Sequence, residues 1–186
     1  MTSETAGAPA RTAREEIYRG RIIGLSVDTI SECGHTHVRE VVHHPGGAGA
    51  IPVFGDGAVG LVRQYRHPAG RALLELPAGR LEEGEPPEAC AARELEEEVG
   101  VAAGRLEPLT VFFTTPGFCE ERFWLFLATD LREVGLRLED DEFIEVVRLP
   151  LDAALSMVAS GEIEDARTII GLLLVARRLG GAGRAG

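Results

Sequence analysis

The chain is poor in cysteine and in aromatic residues, and it has no long apolar run. Its three cysteines, Cys33, Cys90 and Cys119, are an odd number, widely spaced and without a CxxC pair. That pattern argues against a disulfide scaffold and a cysteine zinc site, and it predicts a reducing, cytoplasmic setting. No apolar run approaches the length that spans a bilayer, so no membrane segment is expected. The opening residues MTSETAGAPARTAREE contain no apolar stretch, so no secretory signal is expected. Bases are also scarce: 19 face 30 acids, for a net charge of −11. Wrapping a nucleic-acid backbone demands a basic face, so no nucleic-acid partner is expected.

What is present is 186 residues, 45% of them hydrophobic, with mean hydropathy +0.03. This is the composition of a single globular domain, which buries roughly 70% of its unfolded surface without staples. The acids are not spread evenly. Residues 75–98 hold nine Glu against two Arg, and residues 139–145 hold five acids with no base. The remainder is close to neutral, so the acidity belongs to two patches.

Residues 1–14 and 180–186 are small or polar and aperiodic, and are expected to be tails. Strands are predicted over Arg21–Ile30, His37–His44, Ile51–Phe54, Ala58–Tyr65, Ala72–Leu76, Leu106–Thr115, Arg122–Ala128 and Phe143–Leu149. Pro45-Gly46-Gly47 reads as the turn closing the second. Pro86-Pro87 opens a helix running to about Val99, with Gly100 as its stop. Helices over Leu151–Ala159 and Glu164–Leu179 close the chain. Short strands around a central helix, with helices at the end, predict a mixed α/β or α+β sandwich.

On the central helix Ala91, Leu95 and Val99 recur at i, i+4, i+8 and define the buried stripe. At about 100° per residue, Glu98, Glu94 and Glu97 lie roughly 60°, 100° and 160° from Leu95, all to one side. Like charges at these spacings repel and weaken an isolated helix. A hard divalent cation with oxygen ligands offsets that repulsion. Arg93, four residues before Glu97, is placed to orient that carboxylate.

Gly79, Glu85 and Arg93-Glu94-Leu95-Glu96-Glu97-Glu98-Val99-Gly100-Val101 fit the pattern Gx5Ex7REUxEExGU, U being aliphatic, at every fixed position. This is the Nudix box, and through it the chain resembles the Nudix hydrolases, which cleave nucleoside diphosphates linked to another moiety. The resemblance implies a Nudix-type α/β/α sandwich with a mixed sheet at 51–179. It also implies an antiparallel, dimerising β region at 15–50. In that pattern Glu94, Glu97 and Glu98 bind Mg²⁺ or Mn²⁺, Arg93 braces Glu97, Gly79 bends the loop into the helix and Glu85 holds that loop.

Flanking residues narrow the likeness. Glu75-Leu76-Pro77-Ala78-Gly79 resembles the approach to the box in ADP-ribose pyrophosphatases, where the carbonyl at the Ala78 position is a further metal ligand. Pro116 stands 15 residues after Val101, where that subfamily has its marker proline. Val62 to Arg66 resembles the family strand ending in QYR and places Arg66 near a phosphate. Glu75, Pro116, Glu121 with Arg122, and Tyr18 as a stacking ring are the other substrate-binding candidates. In relatives the general base comes from a loop between late strands, here Leu138–Phe143, which makes Glu142 or Glu139 the candidates, with Asp140 behind them.

The five histidines are expected mostly at the surface, Cys90 and Trp124 in packing. The implied function is metal-dependent hydrolysis of ADP-ribose to AMP and ribose 5-phosphate by a homodimer. The alternatives are another nucleoside diphosphate sugar such as GDP-mannose, or a sensor that binds without cleaving. A sensor is expected to lose box glutamates, and none is lost.

Overall fold

A computed structural model describes residues 9–137 and 143–182. The chain divides into two compact units, residues 1–46 with 113–122 and residues 47–112 with 123–186.

In the first unit β1 (Ala10–Arg19), β2 (Gly24–Glu32) and β3 (His35–His43) form an antiparallel sheet in that order. Cys33 (φ 49°) and Gly34 (φ 77°) make the turn between β2 and β3. Two successive left-handed residues are what a type I′ hairpin needs, because its twist matches that of the strands. The strand at residues 10–14 corrects the expectation of a tail there. Every residue of β1 is exposed, so no apolar alternation marks it. It is held by its ladder to β2 and by Arg14, whose Nε and Nη2 donate to the Asp28 carboxylate, each at 2.7 Å. Segment 113–122 joins this sheet at Val42, whose N–H donates to the Phe118 carbonyl at 2.8 Å.

The second unit carries β4 (Gly47–Pro52), β5 (Ala58–Arg66), β6 (Arg71–Glu75), β7 (Ala78–Arg80) and α1 (Pro87–Glu94). A π turn at Leu95–Val99 extends α1. Then follow β8 (Val101–Phe113), β9 (Arg122–Glu133), β10 (Ile144–Pro150), α2 (Leu151–Ser160) and α3 (Ala166–Ala182). One sheet has the order β7-β4-β9-β8 and is mixed, since β4 runs parallel to β9 and antiparallel to β7. The other, β10-β5-β6, is antiparallel.

Alternation along β4 and β9 sorts side chains to two faces. Ile51, Phe123 and Leu125 join Leu172 and Val175 of α3 in one core cluster. Ala48, Ala50 and Phe126 join Ala91, Leu95 and Val99 in the other. Helices therefore cover both faces, and the expected α/β/α sandwich with a mixed sheet is what forms.

β4 begins at Gly47, in residues read from sequence as a turn, and all six of its residues are buried. Gly and Ala are poor strand formers on propensity, but here packing selects them. A Cβ on Gly49 falls 2.5 Å from the Pro77 carbonyl and 2.6 Å from the Ala78 Cβ. Small residues thus bring β7 and the residues just before it against β4. At the other end α3 continues to Ala182, past the expected stop at Leu179, so the tail expected from residue 180 is helical to that point. Among the described residues no helix is long and apolar enough to cross a membrane.

Candidate active site

Pro87 at the first turn supplies a preset φ and no wasted N–H, so α1 starts there. Gly100, at φ 75°, ends the helical run by donating its N–H to the Leu95 carbonyl five residues back. A side chain at that φ is disfavoured, which accounts for the glycine. The buried flank contains Ala91, Leu95 and Val99 as expected, and with them Glu94 and Glu98, only 6% and 3% exposed.

Two carboxylates enter the interior because the backbone of β7 receives them. Ala78 N–H donates to Glu98 Oε2 at 2.9 Å. A Cβ on Gly79 falls 1.6 Å from Glu94 Oε1, so only glycine allows the Glu94 carboxylate to lie against this strand. Gly79 lies within β7, so the need for glycine there is this close approach and not the loop bend expected of it.

Arg93 does more than orient Glu97. Its Nε and Nη2 grip Glu85 at 3.0 and 3.1 Å, and its Nη1 reaches Glu94 at 2.6 Å and Glu97 at 3.0 Å. Its Nη2 also approaches the Arg80 carbonyl at 3.4 Å. The guanidinium therefore ties the loop at Glu85 to the helix acids, and sequence spacing had revealed just one of these contacts. Arg93 holds the Glu85 carboxyl below its ordinary value, and Glu85 in turn raises the Arg93 pKa. The Cys90 thiol packs 3.5 Å from the Arg80 carbonyl. Burial first, then Glu85 and Glu94, push its pKa up to about 12. It stays a protonated packing group.

Among the described residues no three acids or imidazoles converge as a preassembled cation cage. The box acids rest on Arg93 and the Ala78 amide instead. Four carboxylates nevertheless share this corner, and Arg93 contacts three of them. Their donor atoms are hard oxygens, and the missing Cβ at Gly79 gives the Glu94 carboxylate its room against β7. These residues fit a hard divalent cation.

At the ends of β5 and β6, Arg66 Nε and Nη2 donate to both oxygens of Glu75 at 2.8 and 2.7 Å. Glu75 is 1% exposed, and its Oε2 also accepts from Arg167 Nη2 at 2.7 Å. Glu75 therefore lies behind Arg66, holding it.

A family model described as the NUDIX domain matches residues 43–170. The chain belongs to the Nudix family. It is 43% identical to the ADP-ribose pyrophosphatase of Bacillus subtilis over 84% of this chain and 86% of that one. It is 40% identical to the methanol dehydrogenase activator of Bacillus methanolicus over the same shares. With the ADP-ribose pyrophosphatase of Mycobacterium tuberculosis the identity is 41%, over 87% of this chain and 80% of that one. A solved ADP compounds hydrolase superposes with TM-score 0.86 at 25% identity, covering 98% of this chain and 100% of that one. This chain is a Nudix hydrolase with every fixed box position intact.

The remaining candidates of this Nudix hydrolase lie elsewhere. Tyr18 is exposed on β1, beside a cavity of about 420 Å³ lined also by Arg19, Ile22, His43, His44 and Glu120. Glu121 is fixed by Thr114, whose hydroxyl donates to its Oε2 at 2.7 Å, with His44 Nδ1 at 3.8 Å from Oε1. Pro116 sits in the same 113–122 segment. The expectation that the histidines are surface groups needs correcting at His43, which bridges Ser26 Oγ (2.8 Å) and Glu120 Oε1 (2.9 Å). Trp124 packs against the core, as expected. The base candidates Glu139, Asp140 and Glu142 lie outside the described residues.

Sequence reading missed Arg167, Asp165 and Thr168. Asp165 precedes α3 and accepts from the Thr168 N–H at 2.9 Å, an N-cap. An acid three residues before a threonine, just ahead of an apolar run, was the available signal for the cap. Nothing local pointed to Glu75 as the partner of Arg167.

Proposed function

We propose that this Nudix hydrolase cleaves the pyrophosphate of ADP-ribose to AMP and ribose 5-phosphate, with Mg²⁺, or Mn²⁺ in its place. The observation that carries the reading is the intact box. Its acids are fixed by Arg93 and by β7, and Arg66 is held by Glu75 at the ends of β5 and β6. The similarity to two ADP-ribose pyrophosphatases supports the choice of substrate.

Glu94, Glu97, Glu98 and the Ala78 carbonyl are the residues that would hold the metal. Divalent ions supply Lewis-acid neutralisation of the diphosphate and a lower pKa for the attacking water. Arg66 binds a phosphate oxygen, Glu75 aims Arg66, and Arg93 keeps the helix acids from turning away. Glu142 or Glu139 accepts the proton of the attacking water, because acids committed to a cation are poor bases. Tyr18 stacks on the base, while Pro116 and Glu121 shape the substrate loop.

The region at 15–50 pairs two copies as a homodimer with an isologous interface. Light scattering should give about twice the 19.9 kDa chain mass. The deciding experiment is phosphate release, coupled to a phosphatase, over a panel of nucleotide sugars with Mg²⁺. ADP-ribose is expected to have the highest kcat/KM. A higher value for GDP-mannose overturns the substrate assignment and leaves the box assignment standing.

A further inference from the structure

Behind Arg66 the second unit contains a closed ring of polar contacts. Glu75 Oε2 accepts from Arg167 Nη2 at 2.7 Å, and Arg167 Nε donates to Asp165 Oδ1 at 3.1 Å. Asp165 Oδ2 accepts from the Thr168 N–H at 2.9 Å and from its hydroxyl at 2.7 Å. The Thr168 hydroxyl oxygen in turn accepts from Leu76 N–H at 2.7 Å, and Leu76 adjoins Glu75 in the chain. Glu75 and Thr168 are 1% and 0% exposed, and the Arg167 guanidinium lies 5.4 Å over the Phe123 ring. The Glu75 and Thr168 side of the ring is closed to solvent, while Arg167 and Asp165 are half-buried.

The charges in this ring decide what Arg66 offers a ligand. Within the ring Arg66 and Arg167 face Glu75 and Asp165, two of each sign, and the Glu98 carboxylate also acts on Arg66 from outside it. Without Arg167 the same place holds one guanidinium and two carboxylates, Glu75 buried and Asp165 half-buried. Arg66 then sits in a net negative field, which repels a diphosphate. Buried charges are weakly screened, so the deficit reaches the exposed end of Arg66.

We propose that Arg167, in the first turn of α3, is a positioning residue for substrate. Through Glu75 it fixes the plane of the Arg66 guanidinium, and it supplies the charge that keeps Arg66 attractive to the diphosphate. This rests on Arg66 binding a phosphate.

Four variants test it, each assayed for kcat and KM with ADP-ribose at saturating Mg²⁺, with thermal melting alongside. Arg66→Gln should raise KM about 10- to 100-fold, the usual cost of a charge-assisted hydrogen bond. Arg167→Gln should raise KM about tenfold with much less change in kcat. Arg167→Gln combined with Glu75→Gln restores the local charge balance and should recover most of that KM loss. Arg167→Lys keeps the charge, and its KM should stay within a few-fold of the parent even if Arg167→Gln fails to fold. Unchanged KM in Arg167→Gln overturns the proposal, as does a double variant no better than Arg167→Gln alone, or Lys as damaging as Gln. If Arg66→Gln itself leaves KM unchanged, it is the reading of Arg66 that fails.

Discussion

In the first unit Arg14 faces Asp28 and His43 faces Glu120, so that each acid meets a partner of its own. In the second, Arg93 is divided among Glu85, Glu94 and Glu97, and Glu98 shares their helix. Both arrangements place at least one carboxylate in the interior, Asp28 in the first and Glu94 with Glu98 in the second, where an uncompensated charge is costly. The matched set is explained by folding alone. The second set crowds like charges on one helix, which local helix energetics oppose, and its hard oxygens suit a divalent cation. The difference teaches where to look for chemistry: at acids gathered on one helix face around a shared arginine.

The comparison is broken most directly at Glu98. Glu98→Gln keeps the shape and removes a ligand charge, so activity should fall by about 10³-fold or more while circular dichroism is unchanged. Turnover that survives this change, or survives EDTA, shows the acids gathered around Arg93 to be idle. Outside the helix, Glu142→Gln should lower kcat by about 10²–10⁴, the range of a positioned base, with metal affinity little altered. Glu139→Gln and Asp140→Asn belong in the same assay, and near-normal kcat in all three reduces the loop to a solvated edge.

A smaller effect is expected at Gly79. The added methyl of Gly79→Ala collides with the Glu94 carboxylate and should cost about 10- to 100-fold in activity or metal affinity. Parental kinetics there would mean that Glu94 need not lie against β7. The matched set should respond in stability instead. Arg14 depresses the Asp28 pKa, so unfolding takes up protons at this site and the pair stabilises the fold at higher pH. That contribution is complete above about pH 5 and is lost as pH falls through about 4 toward the folded value. Asp28→Asn should lower the melting temperature at pH 7, leave kcat close to the parent, and flatten the acid-side decline. An unaltered acid profile would show the pair to be thermodynamically silent.

The box was legible because its residues carry their own spacing: Leu95 and Val99 mark the buried stripe, and Glu94 and Glu98 follow from the helical period. The sandwich was legible for the same reason, since apolar runs and turn glycines separate its strands. β1 was not, because a strand held by backbone pairing with no buried side chain leaves no period-2 signature. β4 was misplaced at its start because small residues are selected there by close approach, which no propensity encodes. Arg167 stayed hidden because its partner Glu75 lies 92 residues away in the chain. Local pattern reports periodic burial well, and long-range charge pairing hardly at all.

The protection of Cys90 has a practical side for thiol chemistry. With its pKa pushed up to about 12, only roughly one molecule in 10⁵ carries that thiolate at neutral pH. Cys33 is exposed at the tip of the β2–β3 hairpin, while Cys119 is half-buried. Replacing Cys119 with serine therefore leaves one addressable sulfur. A maleimide dye on Cys33 then marks the N-terminal sheet of the intact enzyme, and the thiol inside the box remains unlabelled.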